Sequence, residues 1–282
     1  MQYYYINGKI IEAQNANIHI SDLAFLRAYG AFDFFRVLSG KPVFLDDHIS
    51  RFINSGRLLD LEIPFSKEKL KEHIQKLLTA NKLSSASVQM FLTGGYSKDG
   101  FTPTTPNLIL LEDELSVYDP KLYSKGINLI KSKYQREIPE AKTTNYLNAI
   151  RMLKEMKKKD ALDILYYNDK FITETARSNF FIIGHDDVIH TSKDKVLKGI
   201  TRQKVIQLAK NHYKVKEENI RMEDLKKAKE AFITSTTKEI MPVINIENHI
   251  VGKGAPGTIT KHLMDLFKEF VQSSFGFHSH VY

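Results

Sequence analysis

The chain has 282 residues and no cysteine, which excludes disulfides, thiolate metal ligands and cysteine nucleophiles. Its 41 basic and 33 acidic side chains leave a formal charge of +8, but much of the positive charge lies in mixed stretches such as 154–159 and 226–229, the pattern of solvated helix faces. No recognisable nucleic-acid module is present, no apolar run approaches the roughly 18–20 residues that span a bilayer, and residues 1–9 lack the basic and apolar regions of a leader. The expectation is a cytoplasmic protein without a nucleic-acid or membrane partner.

Residues 1–12 read as the start of a hairpin, with Asn7-Gly8 as its turn. Apolar runs at 32–37 and 42–45, split by Ser39-Gly40-Lys41, predict a second hairpin. Residues 46–59 carry a helical pattern that puts Leu45, Ile49, Phe52, Ile53 and Leu58 on one face. Ser66 is placed to cap a further helix running to Leu78. Strands at 88–92 and 108–111 flank a Gly- and Thr-rich loop, 94–106, a candidate mobile wall. The polar stretch 112–120 ends in Asp119-Pro120 and reads as an interdomain linker. It gives an N-terminal α/β subdomain over 1–115, a linker over 116–122 and a C-terminal subdomain over 123–282. A strand near 127–131 and a helix over 145–158 follow. Strand-like and helical stretches then alternate at 163–167, 180–183, 188–190, 202–211, 225–228 and 231–234, before a C-terminal helix over 258–273. This order predicts an α/β (α+β) chain of two subdomains.

Four segments hold the chemistry-bearing residues. The first, Asp47-His48-Ile49-Ser50-Arg51-Phe52, lies early on a helix. Arginine suits phosphate because its planar fork binds oxygens in pairs and stays protonated. The second, Glu140-Ala141-Lys142-Thr143-Thr144-Asn145-Tyr146-Leu147, places Tyr146 four residues after Lys142. The third, Ile172-Thr173-Glu174-Thr175-Ala176-Arg177-Ser178-Asn179-Phe180, lies in strand-like surroundings. The fourth comprises Leu197-Lys198-Gly199-Ile200-Thr201-Arg202, which opens a helix whose first amides suit an anion, and the hydroxyl-rich turn Thr234-Ser235-Thr236-Thr237-Lys238. His185, His190, His278 and His280 lack the spacing of a metal site, so no metal is expected. No G-x-G-x-x-G, Walker A or serine-elbow sequence occurs.

In order and spacing these segments resemble the class IV aminotransferases, the pyridoxal phosphate (PLP) enzymes of fold type IV. That family includes branched-chain and D-amino-acid aminotransferases and aminodeoxychorismate lyases. The resemblance implies two α/β subdomains with the cofactor between them. It makes Lys142 the Schiff-base lysine and catalytic acid/base. It makes Glu174 the partner of the ring nitrogen, Arg51 and Thr236 phosphate ligands, and Ile200 and Thr201 phosphate ligands through their backbone amides. Leu197 is the apolar residue packed on the ring, Thr237 faces substrate, and Tyr146 is a candidate donor to the cofactor's phenolic oxygen. A homodimer is implied, with residues 21–30 reaching across.

The substrate side departs from the family. D-amino-acid aminotransferases of the usual pattern show Thr-Arg-Gly where this chain has Thr93-Gly94-Gly95-Tyr96. Branched-chain enzymes show Phe-Glu-Gly-x-Arg where it has Phe32-Asp33-Phe34-Phe35-Arg36, and their spacing from the lysine to the following tyrosine is one residue longer. Arg27 and Arg177 are therefore expected to bind substrate carboxylate jointly, with Arg36 either assisting or pairing with an acidic neighbour. The resulting expectation is amino transfer between a D-amino acid or branched-chain L-amino acid and a 2-oxo acid. A lyase on the same fold and a non-catalytic binding protein are the alternatives.

Overall fold

In a computed structural model, which describes residues 1–276, the chain forms two compact units. The first comprises residues 1–116 together with 140–145. Its strands are β1 (Tyr3–Ile6), β2 (Lys9–Glu12), β3 (Gly30–Leu38), β4 (Lys41–Pro42), β5 (Ser85–Thr93) and β6 (Leu108–Glu114), in the sheet order β2-β1-β6-β5-β3-β4. The helices are α1 (Leu23–Arg27), α2 (Leu45–Arg57) and α3 (Lys67–Asn81). Asn7 and Gly8 both take positive φ, 47° and 96°, as a two-residue turn matched to strand twist requires. Ser66 accepts from the Lys69 amide at 3.2 Å and starts α3.

On β3 the period-2 alternation sorts the side chains. Ala31, Phe35 and Val37 enter the core with Ile49 and Phe52 of α2 and Leu70, Ile74 and Leu77 of α3. Phe32, Phe34 and Arg36 take the other face. Two expectations change here. The strand foreseen over 42–45 shortens to β4, because Phe44 turns left-handed (φ 54°) and α2 begins at Leu45. Ile53 is exposed, since it follows Phe52 by a rotation of about 100° and leaves the buried seam of positions 48, 49, 52, 55 and 56.

Residues 140–145 add to the free edge of β3. Lys142 O accepts from the Phe32 amide at 2.8 Å, the Thr144 amide donates to Gly30 O at 2.9 Å, and Ala31 faces Thr143 in an antiparallel bridge. Lys142 thereby sits opposite Phe32 at the edge of this sheet, although the polar stretch 112–120 precedes it in sequence.

The second unit comprises 117–139 and the residues from 146 on. Its elements are α4 (Lys121–Lys125), β7 (Ile127–Lys133), α5 (Leu147–Arg151), α6 (Leu153–Lys158), β8 (Asp163–Tyr167), β9 (Ile172–Thr175), β10 (Asn179–Ile183), β11 (Ile189–Thr191), α7 (Ile200–Ala209), β12 (Val215–Glu217), α8 (Met222–Lys226), β13 (Glu230–Ser235), β14 (Glu239–Ile246), β15 (His249–Ile250) and α9 (Thr258–Phe275). The strands form a nine-stranded sheet running β12-β11-β10-β13-β14-β7-β8-β9, with β15 on β14. It curls on itself: Glu174 of β9 pairs back to Asn179 of β10. The helix expected over 145–158 is broken at Met152, whose amide closes on Ala149 O three residues back, so the turn tightens and α6 restarts. β14 carries Pro242 mid-strand, opposite Phe232. The parallel ladder to β7 begins only at Val243, one residue past the proline.

Candidate functional site

Each unit brings part of the expected residue set together. In the first, the edge pairing with β3 holds the Lys142 backbone, and its amide also donates to Ser55 Oγ on α2 at 3.0 Å. The half-buried side chain puts Nζ 4.2 Å from the centre of the Phe32 ring, a cation–π contact. On α2, Arg51 Nε donates to Asp33 Oδ2 and one Nη donates to Asp33 Oδ1, both at 2.8 Å. His48, one turn earlier, meets the same Oδ1 through Nδ1 at 2.7 Å.

Asp33 is completely buried. Burial pushes its carboxyl up, but Arg51 and His48 together overcome this and hold it well below its ordinary 3.8. His48 moves down from 6.5, because burial outweighs the attraction of Asp33. A neutral imidazole with its Nδ1–H on the carboxylate satisfies both shifts. Arg51 is thus not a free-swinging surface arginine: Asp33 fixes the plane of its fork.

Arg36 is 5% exposed and lies four residues beyond Phe32 on the same strand face, about 13 Å along the strand. Arg27 ends α1, is exposed, and donates from Nη1 to Leu26 O at 2.8 Å. Where the Thr-Arg-Gly pattern would demand a side chain, there is no room for one. A Cβ on Gly94 would lie 2.5 Å from Tyr29 Cδ1, and a Cβ on Gly95 (φ +80°) 2.3 Å from Thr105 O.

In the second unit Glu174, 5% exposed on β9, is gripped from two sides. Arg136 donates to Oε1 from Nε at 2.9 Å and from Nη2 at 2.7 Å. The Leu197 amide donates to Oε2 at 3.0 Å. Asn179 Nδ2 in turn donates to Leu197 O at 2.7 Å, which fixes the loop that delivers Leu197. That loop passes so close to β10 that a Cβ on Gly199 would lie 2.1 Å from Asn179 Oδ1. Gly199 then precedes α7 and leaves its N-terminus without a side-chain cap, with Ile200 and Thr201 buried at the first turn. Such an end favours an anion.

Thr236 and Thr237 are half-buried in the β13–β14 turn. The Lys238 amide donates to Ser235 Oγ at 3.2 Å and closes the turn. Lys238 is 1% exposed; its Nζ lies 3.6 Å from Asp163 Oδ2 and 3.4 Å from Ser178 Oγ. Asp163 also accepts from Thr175 Oγ1 at 3.0 Å, so this buried pair ties the start of β14 to β8 and to the corner after Glu174. Tyr146 stands at the start of α5. Arg177 is exposed, and its Nη2 donates to Leu162 O at 3.4 Å.

The sequence reading did not single out Arg136, Asp33, Asp163 or Lys238. Asp33 and Lys238 fall inside segments quoted above, but the groups they hold lie far from them in sequence. Arg136 stands outside every motif, six residues before Lys142. Among the described residues no group of three or more His, Asp or Glu could hold a metal ion, and no helix is long and apolar enough to cross a membrane. His278 and His280 lie outside the described residues.

Known proteins identify the family. A family model for the class IV amino-transferases matches residues 30–246, and the chain belongs to that family, whose members are PLP-dependent enzymes. It is 30% identical to a D-alanine aminotransferase of Listeria monocytogenes over 96% of both chains. It is 31% identical to a putative branched-chain-amino-acid aminotransferase of Methanocaldococcus jannaschii, covering 94% of this chain and 95% of that one. Among solved structures, the branched-chain amino acid aminotransferase of T.th. with pyridoxamine 5'-phosphate superposes with a TM-score of 0.89 at 26% identity, covering 96% of this chain and 94% of that one. A putative 4-amino-4-deoxychorismate lyase from Legionella pneumophila gives 0.82 at 26% identity, over 91% and 96%. The fold is therefore that of fold type IV.

Proposed function

We propose that the protein moves an amino group between an apolar amino acid, of the branched-chain L type, and a 2-oxo acid, with a dicarboxylate such as glutamate and 2-oxoglutarate as one partner pair. The observation that carries this reading is Arg36, a buried arginine on the face of β3 that Lys142 overlies. Half-buried Phe32 and Phe34 stand between it and the strand start. An apolar wall ending in a guanidinium suits an aliphatic side chain and a distal carboxylate alike. The closed space at Gly94 and Gly95 weighs against the D-amino-acid pattern.

The residues present fit PLP. The second unit supplies a buried carboxylate, an uncapped helix start and a hydroxyl turn; the first supplies a lysine and a braced arginine. When bound, the cofactor stores the amino group and takes up electron density from the substrate Cα. Lys142 would hold the cofactor's aldehyde carbon and then carry the proton to and from Cα. Arg51, Thr236 and the Ile200 and Thr201 amides would bind the phosphate. Glu174 would accept from the ring N–H, Leu197 would pack on the ring, and Tyr146 would donate to the phenolic oxygen. Thr237 would meet substrate. Arg27 and Arg177, both exposed and each on a backbone carbonyl, would attract carboxylates by charge.

A homodimer in the cytoplasm is the proposed setting. Ile20, Phe25 of α1 and Phe101 are more than 70% exposed, on segments joined by the Asp22–Tyr96 bridge. Exposed apolar side chains of this size suit a subunit contact.

The test is visible absorbance of the purified protein after PLP addition, followed by titration with single amino acids of both hands. A band lost in Lys142→Ala, and bleached by L-leucine and L-glutamate, supports the reading. Bleaching by D-alanine alone overturns the substrate class. Turnover of 4-amino-4-deoxychorismate without any 2-oxo acid would instead favour the lyase. No band at all removes the enzyme reading.

A further inference from the structure

Glu174 is a carboxylate at 5% exposure. An isolated carboxylate at such depth is costly to keep charged, and the group neutralises unless a cation or several donors stabilise it. For a carboxylate that faces a ring nitrogen, neutralisation removes the function, because only the anion holds the ring in its protonated, electron-accepting form. The protein therefore has to supply charge stabilisation from behind.

Three facts single out Arg136 for this task. Its Nε and Nη2 both donate to Oε1 of Glu174 at 2.9 and 2.7 Å, the short charge-assisted geometry. Its side chain is only 17% exposed, so the pair is little screened by solvent. Its Nη2 also donates to Pro139 O, the last residue of the second unit before the Lys142 segment begins. The same guanidinium thus holds the carboxylate and fixes the backbone from which residues 140–145 depart. Leu197, on the opposite side of Glu174, contributes a neutral amide, whereas Arg136 contributes a full positive charge.

We infer that Arg136 is a positioning residue for the cofactor: it keeps Glu174 ionised and oriented, so that affinity for PLP and the protonation of the ring nitrogen depend on a residue that need not touch PLP. This rests on the proposed role of Glu174.

The experiment is a double-mutant cycle in the full-length protein with Arg136→Met, Glu174→Gln and the two combined, plus Arg136→Lys. Two readouts are taken: the dissociation constant for PLP, by ultrafiltration, and the pH dependence of the visible band. Loss of a hydrogen-bonded charge pair of this kind weakens binding about 10- to 100-fold. Arg136→Met is expected to show that loss and a shifted pH profile, and Arg136→Lys to recover part of both. In the Glu174→Gln background Arg136→Met is expected to cost less than about threefold, because the interaction is already gone. Equal losses in both backgrounds would assign Arg136 a merely structural role and overturn the inference. So would wild-type affinity and pH profile in Arg136→Met. If Arg136→Met does not fold, as judged by circular dichroism, Arg136→Lys decides alone: an unchanged pH profile and unchanged affinity overturn the proposal. Absence of any Lys142-dependent band in the unsubstituted protein is a different outcome, since it defeats the functional reading itself.

Discussion

Each unit contains a buried arginine–carboxylate pair, and the two pairs are proposed to work in opposite directions. In the first, Arg51 is the group proposed to meet the ligand, and the completely buried Asp33 holds it. In the second, Glu174 is the group proposed to meet it, and Arg136 holds Glu174. The chemistry of the contact is the same, yet the brace is the more buried partner in one case and the less buried in the other: Asp33 is at 0% against 12% for the Arg51 side chain, whereas Arg136 is at 17% against 7% for that of Glu174. A salt bridge therefore does not announce which of its members is functional. The surroundings differ as well: His48 reinforces Asp33 from within the core, and the Leu197 amide meets Glu174.

The comparison can be broken most severely at the lysine that both pairs are proposed to serve. Lys142→Ala is expected to lower kcat by about 10⁴-fold or more, since nucleophile and acid/base are lost together. A stopped-flow half-reaction with L-glutamate measures this, and Ser55→Ala, which removes only the contact to the Lys142 amide, should keep most of the rate.

The next largest effect is on stability. Asp33→Leu leaves Arg51 and His48 without their shared carboxylate, and breaking a buried pair of this kind costs about 3–5 kcal/mol, to be read from urea unfolding. If the loss stays below about 1 kcal/mol, Asp33 is not a brace.

Acid should loosen the cluster around Asp33 in two steps. His48 has its folded value depressed below 6.5, so the unfolded chain takes up a proton first and stability falls as pH drops through 6.5. Asp33, depressed below 3.8, gives stability that is present above 3.8 and lost as pH falls further, toward its folded value. His48→Gln should flatten the first decline and leave the second. Equal slopes in the two proteins between about pH 5 and 7 would refute it.

Arg36→Met sharpens the substrate assignment. Its KM for 2-oxoglutarate should rise about 10- to 100-fold with little change for an apolar amino acid, the usual cost of a lost charged hydrogen bond. The smallest effect is expected for Arg177→Ala. An exposed side chain on one carbonyl should change KM by less than about threefold; a larger change in KM for 2-oxo acids, with kcat unaltered, would restore Arg177 to the substrate site.

The sequence made some parts of this molecule legible and hid others for identifiable reasons. The Asn7-Gly8 and Ser39-Gly40 turns were readable because positive φ limits the residues that can stand there. The family of Lys142, Glu174 and Arg51 was readable because each lies in its own run of flanking residues. Arg136 was not, since an arginine among arginines and lysines carries no local signal of the carboxylate it will meet 38 residues later. β14 was hidden by Pro242, which argues against a strand until one knows that its second neighbour joins only at Val243. The break at Met152 was hidden too, as a continuous helical pattern does not reveal where tertiary packing tightens one turn.

The excursion of residues 140–145 into the first unit also bears on how the chain is made. The ribosome completes residues 1–116 well before it reaches Lys142, so the nascent first unit emerges with the start of β3 lacking its last neighbour. An unpaired strand edge recruits other chains, and a fragment ending at 116 should be prone to self-association for that reason. Extending the fragment would not be a simple remedy, because the chain must pass through 117–139, which belong elsewhere, before the missing piece arrives. The lysine is thus delivered late, by the same segment that closes the sheet.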